Sequence, residues 1–166
     1  MKQLIFIRHA HRDTDNRESD NGLSEKGQKQ ALLLAQYWEK KLKGMPCTLL
    51  SSPKKRCQET LAPLASALGV KVKTCKELDE ATASEGEVKF NRRVRDFLKD
   101  WQESPLTLAC SHGDWIPQAI AIATGEIVSL KKGAFAVIEL GEKKPKLVSV
   151  VQSLAGPEYQ LEYQEE

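Results

Sequence analysis

The chain has 166 residues, with 25 Lys and Arg against 23 Asp and Glu. That is the length of one domain with chain enough to bury a sizeable core, and the near balance of charge gives no electrostatic case for nucleic acid or an anionic membrane as partner. No apolar run approaches membrane-spanning length, and only Met1, Lys2 and Gln3 precede the first one, so a secretory leader is not expected and a cytoplasmic location is. Cys47, Cys57, Cys75 and Cys110 lie singly and far apart, which reads as reduced thiols rather than disulfides or a zinc site.

Leu4-Ile5-Phe6-Ile7 reads as a short strand buried on both faces, and Arg8-His9 follows it without a turn spacer. A polar, charge-rich loop runs from His11 to Gly22 before Ser24, an N-cap for a helix whose Ala31, Leu34, Ala35, Trp38 and Leu42 fall at helical spacing and which Gly44 and Pro46 end. Cys47 to Leu50 reads as a strand. Ser51-Ser52-Pro53 opens a second helix through Leu61, Leu64, Ala65 and Leu68 to Gly69, with a kink or a late start allowed for by Pro63. Val70 to Cys75, with alternating valines and lysines, suits a half-exposed edge strand, and the acidic segment from Lys76 to Glu87 reads as a loop.

A helix carrying Val88, Val94, Phe97, Leu98 and Trp101 comes next, and then Leu106 to Cys110, a second buried strand that runs directly into Ser111-His112-Gly113-Asp114. Trp115 to Thr124 reads as a helix stopped by Gly125. Gly133 to Leu140 and Lys146 to Gln152, separated by Gly141, suit a closing hairpin, and the polar tail after Pro157 is expected to fray. The alternation of strand and helix, with no internal repeat, predicts a single α/β domain over residues 1–166. Its sheet would be mostly parallel, with helices on both faces and an antiparallel closing strand.

The chain has only three His, and His9 and His112 end the two most apolar strands. If those strands are parallel neighbours, both imidazoles reach one rim of the sheet, where ligands bind in open α/β folds and helix N-termini favour anions. An Arg beside one of them suggests a phosphate site with a nucleophile in it.

Arg8-His9-Ala10, the stretch Leu23-Ser24-Glu25-Lys26-Gly27-Gln28 with Gln30-Ala31, Ser51-Ser52-Pro53 with Arg56, Glu59 and Thr60, and Ser111-His112-Gly113 together resemble the histidine phosphatase superfamily in its phosphoglycerate mutase-like branch. The motifs occur in the right order over nearly the whole chain, with Ala10 in place of the commoner Gly. The short length and the closing segment from Gly133 to Leu140 look most like the small SixA-type phosphohistidine phosphatases. The resemblance implies a metal-independent phosphatase with no cofactor. His9 would be the nucleophile that takes the phosphoryl group, and Arg8, Arg56 and His112 the clamp around it. Guanidinium forks match phosphate oxygens, and a covalent carrier divides the transfer into two easier steps.

For the proton donor the resemblance points to Glu80, in a Leu-x-Glu pattern after the third strand, with Glu77 and Asp79 close enough to substitute. Asp114 is a second contender, because the acid phosphatase branch carries a His-Asp pair at its second histidine, although Gly113 intervenes here. Arg12 matches that branch's second opening Arg, although Thr14 stands where its Pro is expected. The substrate would be a phosphorylated small molecule or a phosphoprotein, and the chain a monomer or weak dimer. A phosphate-binding pseudo-enzyme and a mutase are the alternatives. His9-Ala10-His11 also matches a His-x-His metal motif of (β/α)8 hydrolases, with His112 as a third ligand, but such barrels need ~250 residues.

Overall fold

A computed structural model of the chain describes residues 2–15, 18–101, 105–142, 144–155 and 162–163. All of its strands join one sheet. Strands β1 (Lys2–Arg8), β2 (Thr48–Ser51), β3 (Val72–Thr74) and β4 (Leu106–Ser111) run parallel, in the order β3-β2-β4-β1, so β1 and β4 are neighbours. The sheet continues antiparallel from β1 through β5 (Phe135–Leu140) and β6 (Lys146–Val151) to β7 (Glu162–Tyr163). Helices α1 (Glu25–Leu42), α2 (Lys55–Leu68), α3 (Glu87–Asp100) and α4 (Trp115–Thr124) fill the connections. The α/β fold with helices on both faces is therefore the one expected.

The reason lies in β1. Leu4, Ile5, Phe6 and Ile7 are all 0 % exposed, and successive side chains of a strand leave on opposite faces. Leu4 and Phe6 enter a core with Phe97 and Leu98 of α3 and Ile116 and Ile120 of α4. Ile5 and Ile7 enter the opposite core with Leu34 and Trp38 of α1 and Leu61 and Leu64 of α2. Each such side chain contributes about 1.5–3 kcal/mol by leaving water, so β1 is pinned on both sides.

Local signals set most boundaries. Ser24 Oγ accepts from the Gly27 N-H at 3.1 Å and caps α1 as expected. The helix α2 starts at Lys55 and runs through Pro63 to its cap at Gly69, whose φ of 67° is the left-handed conformation that Gly takes without steric cost. Val70, expected in the third strand, instead closes that cap by donating to the Ala65 carbonyl at 3.0 Å, and β3 shrinks to three residues at the sheet edge. Val88 lies on the solvent side of α3. Of the tail expected to fray, Glu162–Tyr163 pair with Val150 and Val151, and residues 157–161 and 164–166 lie outside the described residues.

Candidate active site

Parallel pairing brings Arg8 of β1 level with Ser111 of β4, so each strand delivers its histidine to the same carboxyl rim. The His9 N-H donates to the Ser111 carbonyl at 3.1 Å, and the rings of His9 and His112 lie 5.4 Å apart, inclined at 60°. Both residues are buried. His9 Nδ1 is 2.8 Å from the Ala10 carbonyl, which can only accept, so Nδ1 carries the proton and Nε2 keeps its lone pair. Burial first, and then the charges of Arg56, Arg8 and Lys132, push the His9 pKa down to about 4. At neutral pH this ring is uncharged.

His112 is held more tightly. Ser52 Oγ lies 2.8 Å from its Nε2, and the Arg56 Nη2 donates to its Nδ1 at 3.3 Å. Because a guanidinium only donates, Nδ1 accepts and Nε2 carries the hydrogen toward Ser52. Burial, followed by Arg56 and His9, lowers the His112 pKa to about 2.

Arg8 and Arg56 flank the histidines. Arg56 sits in the first turn of α2, 3 % exposed, and its Nη2 forms an ion pair with Glu80 Oε2 at 2.7 Å. Arg8 Nη1 donates to the Leu130 carbonyl at 2.7 Å, and burial lowers the pKa of its guanidinium against the opposing pull of Asp114. The Nε-H groups of both arginines are buried with no acceptor among the described residues. Unmet cationic donors beside an uncharged imidazole suit an anion with several oxygens.

Thr60 locks the frame: its Oγ1 accepts from the Ala10 N-H at 2.9 Å and donates to the Arg56 carbonyl at 2.7 Å. Glu59 accepts from the Leu23 N-H at 3.0 Å. Gly27 lets α1 approach the loop after β1, since a Cβ there would collide with the His11 carbonyl. The His11 ring itself pairs with the Ser24 hydroxyl at 2.6 Å, on the cap of α1. Among the described residues, no three His, Cys, Asp or Glu are grouped as a metal ion would require.

The acidic segment after β3 forms a 3-10 turn over Lys76–Leu78 and then a loop. Glu80 and Asp79 reach the pocket, with Glu80 Oε2 3.8 Å from His112 Nδ1 and Asp79 Oδ1 3.8 Å from His112 Nε2. Glu77 turns toward Cys75, whose Sγ lies 3.3 Å from its Oε2. Asp114 accepts from the Ala81 N-H at 3.0 Å and pins the loop's far end, while Arg12 donates to the Ser19 carbonyl at 3.1 Å and is among the charges that lower the His112 pKa.

Three loop anchors, together with the partner Ser52, were not singled out as site residues in the sequence. Arg93 of α3 donates to the carbonyls of Glu77, Asp79 and Glu80 at 2.8, 2.7 and 3.2 Å and forms an ion pair with Glu85 at 2.7 Å. Ser111 Oγ donates to the Leu78 carbonyl at 2.6 Å, and Trp115 Nε1 donates to the Glu77 carbonyl at 2.7 Å. The loop that presents Glu80 is thus fixed before any substrate arrives.

The two histidines make stability depend on pH. In the unfolded chain an imidazole takes up a proton near pH 6.5, whereas His9 does so only near 4 and His112 near 2 when folded. Between pH 6.5 and 4 the unfolded state therefore binds more protons, and stability falls as pH falls. We expect a lower melting temperature at pH 5 than at pH 7, with the difference reduced in a His112→Asn variant; equal melting temperatures would show that neither ring titrates differently on folding.

A buried strand that ends in an Arg-His pair, opposed by a second histidine and a second arginine at one rim, is the arrangement a phosphoryl-transfer site would need. Residues 4–89 match the histidine phosphatase superfamily (branch 1), and the chain belongs to that superfamily. Phosphatase is the activity this membership supports. No curated protein matches the chain in sequence. Among solved structures, the fold is similar to a mycobacterial glucosyl-3-phosphoglycerate phosphatase in complex with inorganic phosphate, at 17 % identity and a TM-score of 0.73, over 89 % of this chain and 95 % of that one. It is also similar to a phosphoserine phosphatase mutant from Entamoeba histolytica in complex with phosphoserine, at 18 % identity and a TM-score of 0.73, over 93 % and 98 % of the two chains. A protein described as mycobacterial hydrolase 1 matches at 16 % identity and a TM-score of 0.74, over 88 % and 96 %.

Proposed function

We propose that this chain is a metal-independent phosphatase that works through a phosphohistidine at His9 and acts on phosphohistidine in proteins, as the SixA-type members of its superfamily do. The observation that carries the mechanism is the fixed tautomer of His9: its Nδ1-H is bound by the Ala10 carbonyl, so the Nε2 lone pair is the nucleophile. Nε2 attacks phosphorus, the bond to the leaving atom breaks, and the phosphoryl group rests on Nε2 between Arg8, Arg56 and His112. Water then attacks the phosphorus, inorganic phosphate leaves, and Nε2 recovers its lone pair.

Two features favour a good leaving group on a large substrate. Glu80 reaches the pocket, but one of its oxygens is engaged by Arg56 at 2.7 Å, so the side chain is not placed as a dedicated proton donor. Only Ser52, Pro53 and Lys54 join β2 to α2, too short a segment to close over a small sugar phosphate as a mutase would need. An alkyl ester expels an alkoxide and depends on a placed acid, whereas phosphohistidine expels imidazole, whose pKa is about 6.5.

Hydrolysis of p-nitrophenyl phosphate and phosphohistidine is therefore expected to be efficient and that of simple alkyl phosphates poor. Glu80→Gln should slow the alkyl substrates roughly 100-fold, as loss of a general acid does, and the other two much less. An equal, large loss on all three would make the protein a broad monoesterase with Glu80 as its acid, and a leaving-group-dependent loss in Asp114→Asn instead would move the donor to the loop after His112.

A further inference from the structure

Beside the histidine pocket lies a second cavity, of about 680 Å³, between the start of α1 and the turn before β5. Lys26 and Lys29 of α1 stand on one lip and Lys131 and Lys132 on the other, Leu33 and Leu154 also line it, and among the described residues no Asp or Glu does. Lys26 and Lys29 are three residues apart, so one face of the helix carries both ammoniums. The two lips are tied together by Gln30, which accepts from the His11 N-H at 2.8 Å and donates to the Lys132 carbonyl at 3.4 Å. The cavity wall is joined to the backbone that carries the nucleophile: the Gly133 N-H donates to the carbonyls of Arg8 and His9, both at 3.2 Å, and His11 lines the cavity.

We infer that this groove receives an acidic stretch of polypeptide flanking the phosphorylated residue of a protein substrate. The inference rests on the phosphohistidine phosphatase reading above and adds to it where the rest of the substrate lies and what charge it carries. A lone phosphate would be served by the arginine clamp without a second cavity. Leucines beside the ammoniums of Lys26, Lys29 and Lys131 match instead a chain of alternating carboxylates and aliphatic carbons, since lysine stems and leucines cover the carbons while the ammonium ends meet the carboxylates. Exposed ion pairs are individually weak, so the groove acts mainly by steering and by several small contributions, both screened by salt.

Two phosphohistidine peptides of equal length, one flanked by Asp and Glu and the other by Ser and Gly, test this directly. At low ionic strength the acidic peptide should show about tenfold higher kcat/KM, expressed in KM, and the advantage should shrink in 0.5 M salt and disappear in the triple variant Lys26→Glu, Lys29→Glu, Lys131→Glu. In the same variant the kcat for p-nitrophenyl phosphate, whose leaving group ends at the pocket, reports whether the pocket is intact. Equal use of the two peptides by the unaltered protein, or a loss on p-nitrophenyl phosphate as large as that on the acidic peptide, overturns the groove. A similar advantage for a small alkane bisphosphate over its monophosphate overturns it in favour of a small-molecule subsite. Failure to hydrolyse either peptide while p-nitrophenyl phosphate is turned over removes the phosphohistidine reading and the groove with it.

Discussion

Replacing His9 by Ala is expected to reduce turnover of every substrate to the uncatalysed background and to abolish the brief, acid-labile phosphate labelling that the unaltered protein should show. Loss of a covalent nucleophile is not a graded effect, because no other group stands in its place: the facing ring of His112 gives its Nδ1 to Arg56 and its Nε2-H to Ser52. The fold should survive the change. Among the described residues, the His9 ring bonds to the neighbouring Ala10 carbonyl, whereas the backbone at this position is held by the Ser111 carbonyl and by Gly133. Arg8, Arg56 and His112 remain, so the variant should still bind phosphate or vanadate and should trap phosphorylated substrates. Turnover or labelling that persists in His9→Ala would remove His9 as the carrier.

The rim that holds these groups was legible because burial leaves a strong pattern. A strand with no polar residue from Leu4 to Ile7 must be covered on both faces, and a charged pair directly after it can only emerge at a sheet edge. Leu106 to Cys110, with Thr107 its one hydroxyl, delivers His112 in the same way, and once the two strands pair in parallel the histidines must meet. Arg56 is different. Beside Lys54 and Lys55 it carries no periodic signal of its own, and only the resemblance distinguished it from those two lysines.

The supporting residues left no local trace, for a physical reason. Arg93, Ser111 and Trp115 act on backbone carbonyls 13 to 38 residues away, and a carbonyl acceptor is the same at every position of a sequence. Val70 misled for a similar reason: a β-branched residue after a glycine reads as the start of a strand, but the left-handed turn at Gly69 directs its N-H back to Ala65. Glu77 was indistinguishable from Glu80 in composition. The 3-10 turn separates them, sending one carboxylate toward Cys75 and the other toward Arg56.

The glycine after His112 joins motif and geometry, and substituting it carries the second large effect. A Cβ at Gly113 would stand 2.7 Å from the Arg8 Cζ and 2.8 Å from its Nη2, closer than real contacts allow. Side-chain atoms of an exposed arginine would swing aside at little cost, but this guanidinium is bonded to the Leu130 carbonyl at 2.7 Å and its Nε-H is buried. Gly113→Ala should therefore displace Arg8 from the phosphate without removing its charge from the protein. Losing one charge-assisted clamp in a buried site costs roughly 2–3 kcal/mol, so kcat/KM for p-nitrophenyl phosphate and affinity for vanadate should fall together by about 30- to 150-fold. In the double variant Arg8→Ala, Gly113→Ala the second substitution should add little, since the side chain it would strike is gone. Independent, multiplying losses from the two changes would show that Gly113 serves the loop after β4 rather than the placement of Arg8.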